Sequence, residues 1–217
     1  MQLTLTLDGR EATVPIRTAV VAGWTGRDRA DVGKHIAELE ALGVPRPSTV
    51  PVFYRVSASR LTIAAEIEST AASSGEAEAL LMRHDGRLYV GVGSDHTDRE
   101  VESYGVAVSK QLCDKPIARE LWLYEDVASH WDQLILRSWI EGDTLYQEGA
   151  LEALLHPDEL MRLVDPDLAD GTLMFCGTVA AIGGIRPAAS FRYELADPVR
   201  GRALSAAYRM QTLPLIS

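Results

Sequence analysis

The feature that most constrains this chain is the Asp85-Gly86 pair, which stands between two runs, Glu76 to Met82 and Arg87 to Gly93, that read as strands. Asp-Gly is a favoured two-residue turn between antiparallel strands. A hairpin closed there sets Glu76 directly opposite Asp95 and Glu78 opposite Gly93. Strand side chains repeat every two residues, so Glu76 and Glu78 project from one face. Three acids then converge beside a residue with no side chain. Opposed carboxylates repel unless something neutralises them. A hard divalent cation would do so: magnesium takes oxygen ligands at about 2.0–2.1 Å, is held by a few carboxylates and keeps positions for water or substrate oxygens. A three-residue loop at His84 to Gly86 would instead shift the pairing by one and send Asp95 to the other face, leaving a solvated acidic strand. Glu66-Ile67-Glu68 repeats the spacing, but no acid lies in register with it through a short hairpin.

Around this hairpin the chain reads as mostly strand. Leu3, Leu5 and Leu7 alternate with Thr4, Thr6 and Asp8, and the Asp8-Gly9 turn follows, so residues 1–20 form an N-terminal hairpin. Val32, Ile36, Leu39 and Leu42 sit at helical spacing, with Gly43, Pro45 and Pro47 beyond them. That pattern predicts a helix over 29–42. Val50 to Ser59 and Arg60 to Glu68 read as strands. Val101 to Val108, Glu120 to Ile140 and Glu148 to Leu155 mix helical and extended signals, punctuated by Pro157, Pro166 and Pro198. Strands return at Gly171 to Cys176, Ala189 to Leu195 and Gly201 to Tyr208. Loops such as Asp114 to Leu123 and Ile140 to Gly149 are expected to shape the pocket. The fold class is α+β and β-rich.

The length of 217 residues suits one domain with its own core, without staples of disulfide or zinc. A net charge of −10, without a run of Lys and Arg, argues against a nucleic-acid partner. Cys113 and Cys176 are too few for a disulfide framework and read as free intracellular thiols. No signal peptide is legible, and nowhere do about 18 apolar residues run together. A cytoplasmic protein without a membrane partner is therefore expected.

Four segments in order carry a resemblance: Glu76-Ala77-Glu78; Ser94-Asp95-His96-Thr97-Asp98-Arg99-Glu100; Ser109-Lys110-Gln111; and Gly171-Thr172-Leu173-Met174-Phe175-Cys176-Gly177-Thr178. The chain resembles the fumarylacetoacetate hydrolase superfamily, and within it a bacterial branch without an assigned reaction, of the DUF2848 type. The likeness covers about residues 20 to 195. It implies a mixed β-roll, like the C-terminal domain of fumarylacetoacetase, as a single catalytic domain. It also implies a divalent metal, magnesium with manganese or calcium as alternatives, on Glu76, Glu78 and Asp95. Lys110 and Thr178 would face an oxoacid substrate, and a homodimer is implied.

In acylpyruvate-hydrolysing members a lid helix carries a His-x-x-Glu dyad, which His35-Ile36-Ala37-Glu38 matches given a short insertion after Gly26-Arg27. Positions i and i+3 share a helix face, so Glu38 could hold the His35 ring as a base for water. Two departures bear on substrate. Arg55-Val56 replaces a family Lys-Pro, keeping a cation that grips a carboxylate bidentately. The usual Gly-Thr-Pro-x-Gly becomes Gly177-Thr178-Val179-Ala180-Ala181-Ile182-Gly183-Gly184, a more apolar loop.

The resemblance thus implies a metal-dependent enzyme for a small 2-oxo or 1,3-dioxo acid, working through a metal-bound enolate. C–C hydrolysis of an acylpyruvate-like substrate leads. Decarboxylase, hydratase and isomerase chemistries are alternatives, as is a non-catalytic member that binds a metabolite. His96, next to the matched Asp95, reads either as a group that supports the metal ligands or, preferably, as a satisfied polar residue, and His84, His130 and His156 read as surface residues.

Overall fold

A computed structural model describes residues 1–41, 46–164 and 168–216. The hairpin is its centre. Strands Ala77–His84 and Arg87–Ser94 pair antiparallel with Glu78 opposite Gly93 and Leu81 opposite Val90. The pairing continues one step further, where the Asp95 amide donates to the Glu76 carbonyl at 2.9 Å. Asp85 and Gly86 adopt φ of 48° and 71°, the left-handed pair a two-residue turn uses. The register expected from the Asp-Gly turn is therefore the observed one.

This hairpin sits inside an eight-stranded mixed sheet. On one side lie Glu120–Leu123 and then the N-terminal hairpin Gln2–Leu7 and Arg10–Pro15. On the other lie Thr172–Phe175, Thr18–Gly23 and Val52–Val56. Gln2–Leu7 runs parallel to Glu120–Leu123, and Thr172–Phe175 parallel to Thr18–Gly23. A five-stranded sheet, ordered Thr144–Ala150, Ile135–Ile140, Ser190–Asp197, Arg202–Thr212 and Glu66–Ser69, covers one face.

Alternation along Ala77–His84 divides the core. Ala77, Ala79 and Leu81 face the second sheet and pack with Leu136, Tyr146, Phe191 and Tyr208. Leu80 and Met82 face the other way, inside the curl of the large sheet, with Leu5, Val21, Leu121 and Phe175. Strands buried on both faces read as continuous apolar runs, as Ala79-Leu80-Leu81-Met82 does. By the same alternation Glu76 and Glu78 continue the Leu80 face, so the carboxylates stand at the end of the inner core.

The helix over 29–41 begins as expected, with Asp28 Oδ1 accepting from the Ala30 amide at 2.8 Å and the Asp31 amide at 3.2 Å. Gly43 and Pro45, the expected terminator, fall outside the described residues. Ile36 is buried, and most of the other described side chains are exposed.

Several expectations are corrected. The 50–59 strand shortens to Val52–Val56, because a 3₁₀ turn over Ala58–Arg60 interrupts it. Val101 to Val108 belongs to two short helices, Arg99–Tyr104 and Val106–Leu112, too short to show periodicity. Ile140 to Gly149 is mostly hairpin strand, with only Glu141 and Gly142 at positive φ. His130 is buried, bonded through Nε2 to Asp197 Oδ1 at 2.9 Å, while His84 and His156 are half-buried.

Candidate functional site

The site is built around Asp95, which is fully buried. Its Oδ2 accepts from the Lys110 ammonium, and its Oδ1 lies 3.4 Å from Lys115 Nζ while accepting no hydrogen bond. Glu78, also buried, accepts from the Gly177 amide at 2.7 Å. Glu76 is half-buried and pairs with Arg99 at 3.2 Å. Three carboxylates are thus faced by three protein cations.

Each cation arrives for a local reason. Asp98 caps the helix that starts at Arg99, its Oδ1 accepting from the Glu100 and Val101 amides at 3.0 Å each. The cap aims Arg99 back, so that its Nε donates to Ser74 Oγ at 2.7 Å and its Nη1 to Glu102 at 3.1 Å. Lys110 comes from the inner side of Val106–Leu112 and lies 5.8 Å from the centre of the Tyr54 ring. Lys115 enters because residue 93 is glycine: a Cβ there would stand 2.8 Å from the Pro116 carbonyl oxygen. Only a bare backbone lets this segment cross. Lys115 Nζ is then held by the His96 and Cys113 carbonyls at 2.6 and 3.0 Å.

Gly177 has the same kind of reason. Its φ is +100°, and a Cβ would lie 1.8 Å from Thr25 Oγ1. Its amide can therefore point at Glu78. Thr178 follows at the rim, donating to the Ala77 carbonyl at 2.7 Å and accepting from Gln147 Nε2 at 2.7 Å.

Electrostatics follow from burial and these pairings. Glu78 is held well above the usual carboxylate range, first by burial and then by the charge of Asp95. Burial alone would raise Asp95 too, but Lys110 and Lys115 outweigh it and hold Asp95 low. Burial would lower Lys110, and the facing charges of Asp95, Glu76 and Glu78 reverse that, so its ammonium stays protonated. Burial pulls Lys115 down. His96 is pushed to about 3 by burial and by Lys115 and Arg99, and its two nitrogens are satisfied by Tyr208 and Ser73 at 2.8 Å each. It is the satisfied polar residue expected.

The structure brings Glu76, Glu78, Asp95, Lys110 and Thr178 to one place. It does not bring Arg55 there. Tyr54 faces Lys110, so its neighbour Arg55 points to the opposite face of the strand, where the guanidinium is exposed and donates to Thr18 Oγ1 at 3.3 Å. His35 and Glu38 lie on the helix over 29–41, and the His35 side chain is outside the described residues. Lys115, Arg99 and Gln147 were missed as site residues. Arg99 stood inside a quoted motif, and Gly93 beside Glu78 was the one signal that another segment must cross here.

Among the described residues, no three His, Cys, Asp or Glu side chains are drawn round one point closely enough to hold a metal as they stand. In kind the donors fit a hard divalent cation. All are carboxylate oxygens, and one of them, Asp95 Oδ1, is buried without a hydrogen bond.

The curled, β-rich mixed sheet is that of the fumarylacetoacetate hydrolase fold. The chain belongs to the family described as a protein of unknown function, DUF2848, whose model matches residues 22–208. Solved structures agree on the fold. A yeast fumarylacetoacetate hydrolase family protein shares 16% identity at a TM-score of 0.63, covering 93% of this chain and 96% of its own. Fumarylacetoacetate hydrolase from the psychrophile Exiguobacterium antarcticum shares 15% at 0.61, covering 93% and 79%. A 2-keto-3-deoxy-D-arabinonate dehydratase, complexed with magnesium and 2,5-dioxopentanoate, shares 14% at 0.61, covering 94% and 78%. No curated protein matches the sequence. No helix among the described residues is long and apolar enough to cross a membrane.

Proposed function

We propose that this chain is a divalent-metal-dependent enzyme acting on a small 2-oxo or 1,3-dioxo carboxylic acid. The observation that carries the reading is the gathering of Glu76, Glu78 and Asp95 with Lys110, Lys115 and Arg99 in one cluster around the buried Asp95. Magnesium on the three carboxylates would supply Lewis-acid stabilisation of negative charge on the substrate's oxo oxygen. This chain's own residues do the rest. Lys110 and Arg99 neutralise the acid, Thr178 lines the rim, and the buried walls exclude bulk water. His35, oriented by Glu38, takes a proton from the attacking water. On that assignment the reaction is C–C hydrolysis of an acylpyruvate-like compound. If His35 is not the base, decarboxylation, hydration or isomerisation on the same site follows instead.

Binding and turnover test this separately. Calorimetric titration of magnesium into metal-stripped protein should show one site, lost in Glu76→Ala. Acylpyruvates and oxaloacetate should then lose enol absorbance only with magnesium present. Unchanged metal binding in Glu76→Ala would sink the site. Metal binding with no turnover over a broad oxoacid panel would favour a metabolite-binding role.

A further inference from the structure

Two lysines meet Asp95, and they are held very differently. Lys115 is fully buried and donates to two main-chain carbonyls, His96 O and Cys113 O, as well as facing Asp95 Oδ1. Lys110 hydrogen-bonds Asp95 Oδ2, and Glu76 and Glu78 act on it through space. It sits on a helix of seven residues, Val106–Leu112, whose flanking Val108 and Leu112 are exposed. The Tyr54 ring, 5.8 Å from its Nζ, is a face on which an ammonium can rest.

Around Asp95, the carboxylates of Glu76, Glu78 and Asp95 already face Lys110, Lys115 and Arg99, and Arg99 also bonds Glu102. A divalent cation added to the same oxygens would face Lys110 as a like charge at contact distance. Lys115 is tied to two carbonyls as well, so Lys110 is the cation with fewer other bonds to keep it beside Asp95. From these contacts we infer that Lys110 is an internal cation that stands in for the metal, and that metal entry displaces its ammonium from Asp95 toward the face of Tyr54. Lys115 stays, because its carbonyl bonds do not depend on Asp95. The released Lys110 ammonium is then free for the carboxylate of an oxoacid. The device holds a buried carboxylate cluster together before loading, and it sets metal affinity by competition.

The inference rests on the metal-dependent reading above, and the test separates the two. Manganese and magnesium are titrated calorimetrically into metal-stripped full-length protein, wild type and Lys110→Met. The variant should bind at least ten-fold more tightly. In parallel, wild-type protein is acetylated with acetic anhydride, and labelling of Lys110 is read by mass spectrometry with and without saturating magnesium. Labelling should rise several-fold with metal, and this second readout needs no variant to fold. Equal or weaker metal binding in Lys110→Met, or Lys110 labelling indifferent to metal, overturns the displacement while leaving the metal site standing. Absence of metal binding in both proteins overturns the displacement and the functional reading together.

Discussion

Gln147 is buried and spends all four of its hydrogen-bonding positions. Its Oε1 accepts from the Ala77 amide at 2.9 Å and Ser138 Oγ at 2.7 Å. Its Nε2 donates to Thr178 Oγ1 and to the Val179 carbonyl, each at 2.7 Å. Ala77 lies between the two glutamates, so this one side chain ties the second sheet to the carboxylate strand and to the Gly177 loop. Gln147→Leu keeps the volume and removes every bond. The Ala77 N–H and the Ser138 hydroxyl are then buried without partners, and the Val179 carbonyl keeps only a long contact from Thr178 Oγ1, at about 1–3 kcal/mol each. The gain from burying leucine offsets part of this. A net loss of about 3–5 kcal/mol follows, which for a domain of this size lowers Tm by on the order of 10 °C. Differential scanning calorimetry with urea melts at pH 7 measures it. A double-mutant cycle locates the cause: Ser138→Ala should cost about 1 kcal/mol in the wild type and recover about 1 kcal/mol beside Gln147→Leu, where the hydroxyl has lost its partner. A Tm shift under about 2 °C, or additive losses, would refute the hub.

Other consequences are open to measurement. Gly177→Ala forces a Cβ onto Thr25 at φ +100° and should cost at least about 2 kcal/mol, with weakened metal binding because the Glu78 contact moves. Asp95→Asn leaves Lys110 and Lys115 buried opposite a neutral group, so a loss of about 3–5 kcal/mol in a urea melt is expected. Asp197 titrates away from the site: burial would raise it, but the Arg200 amide, Arg202 and His130 outweigh that and hold it below the usual range. The ionised form is thus the one the fold favours, and its contribution is full above the unfolded carboxylate value of about 3.9 and lost as pH falls through the lower folded value. Asp197→Asn should therefore be destabilised at pH 7, with the gap to wild type closing below about pH 4. A gap independent of pH would remove the charge from that account.

The hairpin was legible because a two-residue turn leaves no freedom of register: Asp85-Gly86 alone places Glu76 against Asp95 and Glu78 against Gly93. The N-terminal hairpin through Asp8-Gly9 was legible for the same reason. What lay beyond one turn was not. Lys115 reaches Asp95 through a crossing that Gly93 permits, and no local pattern ties those positions together. The two short helices carrying Arg99 and Lys110 are held by the Asp98 cap and by packing, with too few turns for an apolar stripe. His130 read as a surface residue because its partner Asp197 lies far away in sequence. Arg55 was placed by analogy with a lysine, whereas strand alternation gives the inward position to Tyr54.

The central claim, that Glu76, Glu78 and Asp95 form one divalent-cation site, is tested most directly by crystals of the full chain soaked in manganese, with data collected at the manganese absorption edge. The account requires one strong anomalous peak bonded to oxygens of all three carboxylates, with Lys110 withdrawn from Asp95. Peaks confined to exposed acids such as Glu66 and Glu68, with Lys110 still on Asp95, would contradict it.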